Sequence, residues 1–75
     1  MPISMNMDSQ KATIGDILQS RRKARKIPQE QLADIAGISP RTIRDIEKGI
    51  ANPELETLLK ICHVLGMEIK IDVIK

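Results

Sequence analysis

Seventy-five residues with no Phe, Tyr or Trp and a single cysteine make one small domain. Its core must come from Ile, Leu, Val, Ala and Met, with no internal disulfide to staple it. No apolar run approaches the roughly twenty residues of a membrane span and none looks like a signal peptide, so the chain is expected to be soluble and cytoplasmic, with no membrane partner. The net charge of +2 excludes little, but five of the twelve Lys and Arg residues fall in one run, Arg21-Arg22-Lys23-Ala24-Arg25-Lys26. Such a run either meets phosphate or faces water, and charge alone favours neither.

Residues 1–12, MPISMNMDSQKA, are polar with scattered methionines and no sustained period, and they read as a flexible tail. Thr13 followed by Asp16 resembles a capping box with a shorter acid. Behind it Ile14, Ile17, Leu18 and Arg21 hold helical spacing and predict a first helix over about 13–26. Pro28 resets the chain. QEQLADIA, 29–36, predicts a short second helix with Leu32, Ile35 and Ala36 on one face. Gly37 stands where a left-handed C-terminal cap costs least. Ser39 and Pro40 read as the N-cap and first residue of a third helix over about 40–48, with Ile43 and Ile46 at the buried positions and Gly49 at its end.

GIANPE is a loop. A fourth helix over about 55–65 is expected to turn Leu55, Leu58, Leu59, Cys62 and Leu65 inward, and Gly66 closes it. The last nine residues, MEIKIDVIK, alternate apolar Met67, Ile69, Ile71 and Val73 with Glu68, Lys70 and Asp72. That period predicts a half-buried β-strand over 67–75. A lone strand leaves its backbone groups unpaired, so its partner is expected from another chain.

The informative unit is QEQLADIAGISPRTIRDIEK, 29–48: two short helices on a tight Gly turn anchored by Ile38. The second exposes Pro40, Arg41, Arg44, Asp45 and Lys48 while burying Ile43 and Ile46. An α-helix fits the major groove of DNA and reaches base edges from its N-terminal half. The preceding helix crosses the backbone, where its N-terminal amides can meet a phosphate.

The pattern Q-E-x-L-A-x-x-A-G-I-S-x-x-T-I-x-x-I-E-x-G, with P-x-L-x-T-L-L-K-I behind it, resembles the Xre/Cro helix-turn-helix family of phage repressors over residues 14–66. The resemblance implies a mainly α, four-helix, lambda-repressor-like DNA-binding domain over 13–66. With the alternating segment 67–75 attached, the chain is most similar to HipB-type antitoxins, in which C-terminal strands of two subunits pair across the dimer axis. By that resemblance Met67, Ile69, Ile71 and Val73 would lie over a homodimer.

Family roles carry over where residues match. Gln29 resembles the phosphate- and base-contacting Gln that heads the second helix. Arg41, Thr42 and Asp45 occupy positions from which relatives touch bases or backbone, and Ser39 and Pro40 just before them are expected at the DNA as well. Arg41 suits guanine O6/N7, a contact of about 1–3 kcal/mol. Asp45 either accepts from a cytosine amine or pairs with Arg41 one turn away. Arg44 and Lys48 suit phosphate or simply face water. Arg22 and Glu47 match a pair bridged in many relatives, in which the acid aims the guanidinium at DNA. Two departures stand out: Pro28 replaces the usual Ser or Thr cap, and the loop Gly49-Ile50-Ala51-Asn52 lacks a basic residue, which predicts a shallow salt dependence.

Other features carry less. Cys62 and His63 are adjacent, about 100° apart on a helix, and cannot close a metal site. Cys62 reads as core and His63 as surface. No catalytic constellation has supporting context, so neither an enzyme nor a cofactor is expected. Ile61 and Val64 form a second apolar stripe on the fourth helix and read as a dimer contact ahead of the alternative, core packing. The resulting expectation is a homodimeric repressor on an inverted-repeat operator, most like an antitoxin that regulates its own operon and binds a HipA-like Ser/Thr kinase toxin. The alternatives are a stand-alone Xre-family regulator and a protein-interaction module with no DNA role.

Overall fold

A computed structural model describes the backbone of residues 7–73 and the side chains of residues 10–73. Four helices follow one another: α1 Met7–Ala24, α2 Gln29–Ala36, α3 Pro40–Glu47 and α4 Leu55–Leu65. The last three match the expected boundaries closely. α1 begins six residues before Thr13, so residues 7–12 are helix rather than tail, while residues 1–6 lie outside the described residues. Gln10, Lys11 and Ala12 are good helix formers, and a missing apolar period shows only that a stretch buries no face. α1 also stops at Ala24, and Lys26 takes the left-handed backbone, φ 57°.

The predicted punctuation holds between α2 and α3. Gly37 adopts φ 71°, a conformation that costs glycine nothing, and its N–H returns to the carbonyls of Ala33 and Asp34. Ile38 N–H donates to Ala33 O at 2.9 Å, which sets the turn. Ser39 Oγ accepts from Thr42 N–H at 3.1 Å with Pro40 in the first turn. Pro28, as its chemistry requires, gives α2 no side-chain cap.

Leu18, Leu32, Ala33, Ile43, Ile46, Ile61, Cys62 and Leu65 form the buried core, with Ile27, Ile38, Leu58, Val64 and Met67 packed against it. Ile43 and Ile46 are where the pattern put them. Leu55 and Leu59, expected inward, are exposed, as is Ile35, expected on one face with buried Leu32. Ile61, expected at a dimer contact, is 1% exposed and belongs to the core. The reason lies in α4, LETLLKICHVL, which carries apolar residues on so many sides that period alone cannot say which side meets α1 and α2.

α1 and α3 cross at Gly15. A Cβ there would sit 2.5 Å from Ile46 O and 2.7 Å from Glu47 O, so the close approach depends on a residue without a side chain.

The C-terminal segment corrects the fold expectation. Among the described residues there is no strand, and the architecture is four helices alone. Met67 N–H donates to Cys62 O at 2.8 Å as part of the α4 cap, and its side chain packs on the core. Ile69, Ile71 and Val73 are exposed, and residues 68–73 make no ladder. Alternation is necessary for a half-buried strand but does not create one, because a strand exists only through its ladder and the described residues supply no second strand. The β-strand pairing across a homodimer is therefore withdrawn; Ile74 and Lys75 lie outside the described residues. No described helix is long and apolar enough to cross a membrane.

Candidate nucleic-acid interface

α3 presents its outer face through the cap that starts it. Ser39, Pro40, Arg41, Arg44 and Lys48 are exposed, and Thr42 and Asp45 half-buried. The Ser39 and Thr42 hydroxyls lie 2.8 Å apart, so both side chains are oriented at the N-terminal end of the helix. Arg41 Nε lies 3.8 Å from Asp45 Oδ2, and its side chain is 86% exposed. An exposed i,i+4 pair at that distance holds by about 0.2–0.5 kcal/mol. The guanidinium is therefore oriented along the helix face without being committed to Asp45.

Behind that face lies a buried network. Glu47 ends α3 and is nearly inaccessible, as is Arg22 of α1. Arg22 Nε donates to Glu47 Oε2 at 2.7 Å and Nη2 to Oε1 at 2.9 Å, a bidentate fork. Arg22 Nη1 donates to Ile27 O at 2.9 Å, tying in the α1–α2 turn. Gln29, the first residue of α2, donates Nε2 to Glu47 Oε1 at 3.0 Å. Burial opposes the charge on Glu47, but hydrogen bonding from Arg22, Gln29 and Gln19 and the guanidinium charge outweigh it, so its carboxyl titrates below the usual glutamate value. An ionised carboxylate only accepts, so the Gln29 amide nitrogen must face Glu47 and its oxygen must face away.

The expected Arg22–Glu47 bridge is thus present, but the guanidinium does not project outward. Arg22 acts as a positioning residue that fixes α1, α2 and α3 relative to one another. The rest of the basic run divides. Arg21 Nε donates to Leu65 O at 2.8 Å and Arg25 Nη1 to the same oxygen at 3.3 Å. Two of the five charges therefore cap the C-terminus of α4, where cations are favoured, and Lys23 and Lys26 remain exposed. No signal in the sequence links Arg21 to a carbonyl 44 residues away.

The residues expected at a dimer contact do not converge. Ile61 is core, Val64 and Met67 are half-buried against the core, and Ile69, Ile71 and Val73 are exposed. Cys62 is buried as expected, with its thiol pushed up by that burial, and His63 is on the surface.

A family model described as helix-turn-helix, HTH_3, matches residues 18–71. The chain is 39% identical over 57 residues to the immunity repressor protein of Bacillus phage phi105, a match covering 76% of this chain and 40% of that protein. It is 42% identical over 60 residues to an uncharacterized HTH-type transcriptional regulator of Haemophilus influenzae, covering 80% of this chain and 60% of the relative. The chain thus spans 40% to 60% of the length of these two relatives. Among solved structures it is similar to the restriction-modification controller protein C.AhdI from Aeromonas hydrophila. That match has a TM-score of 0.77 at 28% identity and covers 80% of this chain and 91% of the other.

Proposed function

The chain belongs to the HTH_3 helix-turn-helix family, and on that premise we propose that it is a sequence-specific DNA-binding transcriptional repressor acting in the cytoplasm as a homodimer. The observation that carries this reading is the exposed N-terminal half of α3, with Arg41 uncommitted, on a helix that the Arg22–Glu47–Gln29 network holds against α1 and α2. In this reading 29–48 is the reading unit within the 13–66 domain. Arg41, Thr42 and Asp45 face base edges. Gln29, Ser39, Pro40, Arg44 and Lys48 meet the backbone and set the register. Two copies would address an inverted repeat whose half-sites lie about one helical turn, ~34–36 Å, apart.

Binding-site selection from a random duplex pool, with the parent and with Arg41→Ala, tests the assignment. The parent should return an inverted repeat. The variant should lose preference at one position of each half-site, about 1–3 kcal/mol, while keeping nonspecific affinity. Identical consensus sequences would remove Arg41 as a reader, and no consensus from the parent would favour an interaction module without a DNA role.

A finer reading makes the repressor the antitoxin of a HipBA-like module, bound to a HipA-like Ser/Thr kinase toxin. It rests on the alternating apolar pattern of the tail behind the Xre-like residues 14–66, with Ile69, Ile71 and Val73 left exposed. Native pull-down from the host separates the two: a stoichiometric kinase-like partner supports the antitoxin, and the chain alone on operator DNA a stand-alone regulator.

A further inference from the structure

Arg21 and Arg25 stand one turn apart on α1 and meet at the C-terminus of α4. Arg21 Nε donates to Leu65 O at 2.8 Å, and Arg25 Nη1 reaches the same oxygen at 3.3 Å. Both guanidiniums also flank Gly66. A Cβ on that residue would lie 3.2 Å from Arg25 Nη1 and 3.4 Å from Arg21 Nη2. Two like charges are thus drawn to one point of the surface, against a Coulomb repulsion that free arginines relieve by spreading into water.

The end of α4 does not need both. Gly66 at φ 69° already closes the helix, with its own N–H on His63 O at 3.4 Å and Met67 N–H on Cys62 O at 2.8 Å. Arg21 then satisfies Leu65 O, and Arg25 is left over. Nor does a carboxylate bring them together. Of the five arginines, Arg22 and Arg41 face Glu47 and Asp45, and Arg44 goes to the DNA backbone in the proposed reading. Among the described residues neither Arg21 nor Arg25 has an acidic partner. A guanidinium carries five N–H donors in a fixed fork, and each of the two commits one to Leu65 O.

We propose that Arg21 and Arg25 form an anion site where α1 and α4 end together, and that its ligand is a phosphate group. A tetrahedral phosphate presents several acceptor oxygens, which two planar forks can share. The common carbonyl holds both side chains in place beforehand, so less rotamer freedom is lost on binding. Gly66 keeps the opening clear, where a larger residue would set a side chain against both guanidiniums. Lys23 and Lys26, exposed in the same run, raise the potential that draws the anion in. The group belongs either to a free phosphate or to the DNA backbone, and duplex binding separates the two.

The site stands apart from the DNA reading, so it is tested first on DNA-free protein with inorganic phosphate. Thermal unfolding followed by circular dichroism should show phosphate raising Tm, saturably, above chloride at equal ionic strength. Arg25 is exposed and outside the core, so Arg25→Gln keeps the fold. It should weaken phosphate binding about tenfold or more, the loss of a charge-assisted contact. Lys23→Gln removes the same charge from the same run and should weaken it less than about twofold. In the parent, the Nε resonance of Arg21 should shift along the same phosphate titration. No stabilisation beyond chloride, equal binding by Arg25→Gln, or an equal loss in Lys23→Gln would each overturn the proposal. With duplex DNA, a roughly tenfold loss of affinity in Arg25→Gln assigns the phosphate to the backbone, and an unchanged affinity assigns it to a free phosphate. A parent that binds phosphate but no duplex would refute the DNA reading and support this site.

Discussion

Gly15→Ala puts a methyl group where none fits. Its Cβ would lie 2.5 Å from Ile46 O, 2.7 Å from Glu47 O and 3.0 Å from Glu47 C. All three are backbone atoms of the last turn of α3, so no rotamer change relieves the contact. α1 and α3 must separate by about 1 Å before the nearest oxygen reaches an ordinary 3.4 Å. Ile46 O also accepts from Gly49 N–H at 3.0 Å, so its peptide cannot simply rotate away. Overpacking of this kind costs about 1–3 kcal/mol, occasionally more, and alanine's better helix propensity offsets about 1 kcal/mol. With backbone on the receiving side the cost falls at the upper end, for a net loss of about 1–3 kcal/mol. In a domain of this size that lowers Tm by roughly 5–20 °C. The chain has no aromatic residue, so far-ultraviolet circular dichroism against temperature or urea is the assay. A Gly15→Ala protein as stable as the parent, or more stable, would show that α1 and α3 do not meet as closely as described.

Glu47 gives a pH signature. Its carboxyl titrates below the ordinary 4.5 in the fold, so the unfolded chain binds the proton more readily. Its contribution is complete above the ordinary glutamate value and is lost as pH falls through the lower folded value. Glu47→Gln should flatten that acid limb in urea denaturation and, by leaving buried Arg22 without its counter-charge, cost about 3–5 kcal/mol near neutrality. Lys26 holds φ 57° without being glycine; Lys26→Gly should stabilise the protein by about 0.5–1 kcal/mol, seen as a higher Tm. Ser39→Ala removes the acceptor for Thr42 N–H and should cost about 0.5–2 kcal/mol in the same measurement.

Much of the helix-turn-helix unit 29–48 was legible because its signals are local. Gly37, Ser39 and Pro40 each specify backbone geometry within a few residues, and Ile43 and Ile46 fit a narrow amphipathic helix with one apolar stripe. The Arg22–Glu47 bridge came from resemblance, since nothing local joins residues 25 apart. What failed was nonlocal. Alternation over 67–73 could not say whether a ladder exists. The crowded apolar pattern of α4 could not say that Ile61 is core while Leu55 and Leu59 are exposed. A basic run could not say that Arg21 and Arg25 serve the Leu65 carbonyl. Gly15, from sequence, is only a weak spot in a helix, and its role needs the backbone of α3 brought against it.

One carboxylate joins three helices. Glu47 closes α3, its Oε2 takes Arg22 of α1, and its Oε1 takes both Arg22 and Gln29 of α2 through bonds of 2.7–3.0 Å. Mechanically this is a joint with no free axis, since α3 cannot pitch or roll against α2 without stretching a charge-assisted bond. The carboxylate thus pins α1, α2 and α3 to one another at a single point. For the proposed dimeric repressor, a base pair inserted between two half-sites would then be accommodated by twisting the duplex or by sliding one copy against the other, and not by tilting α3.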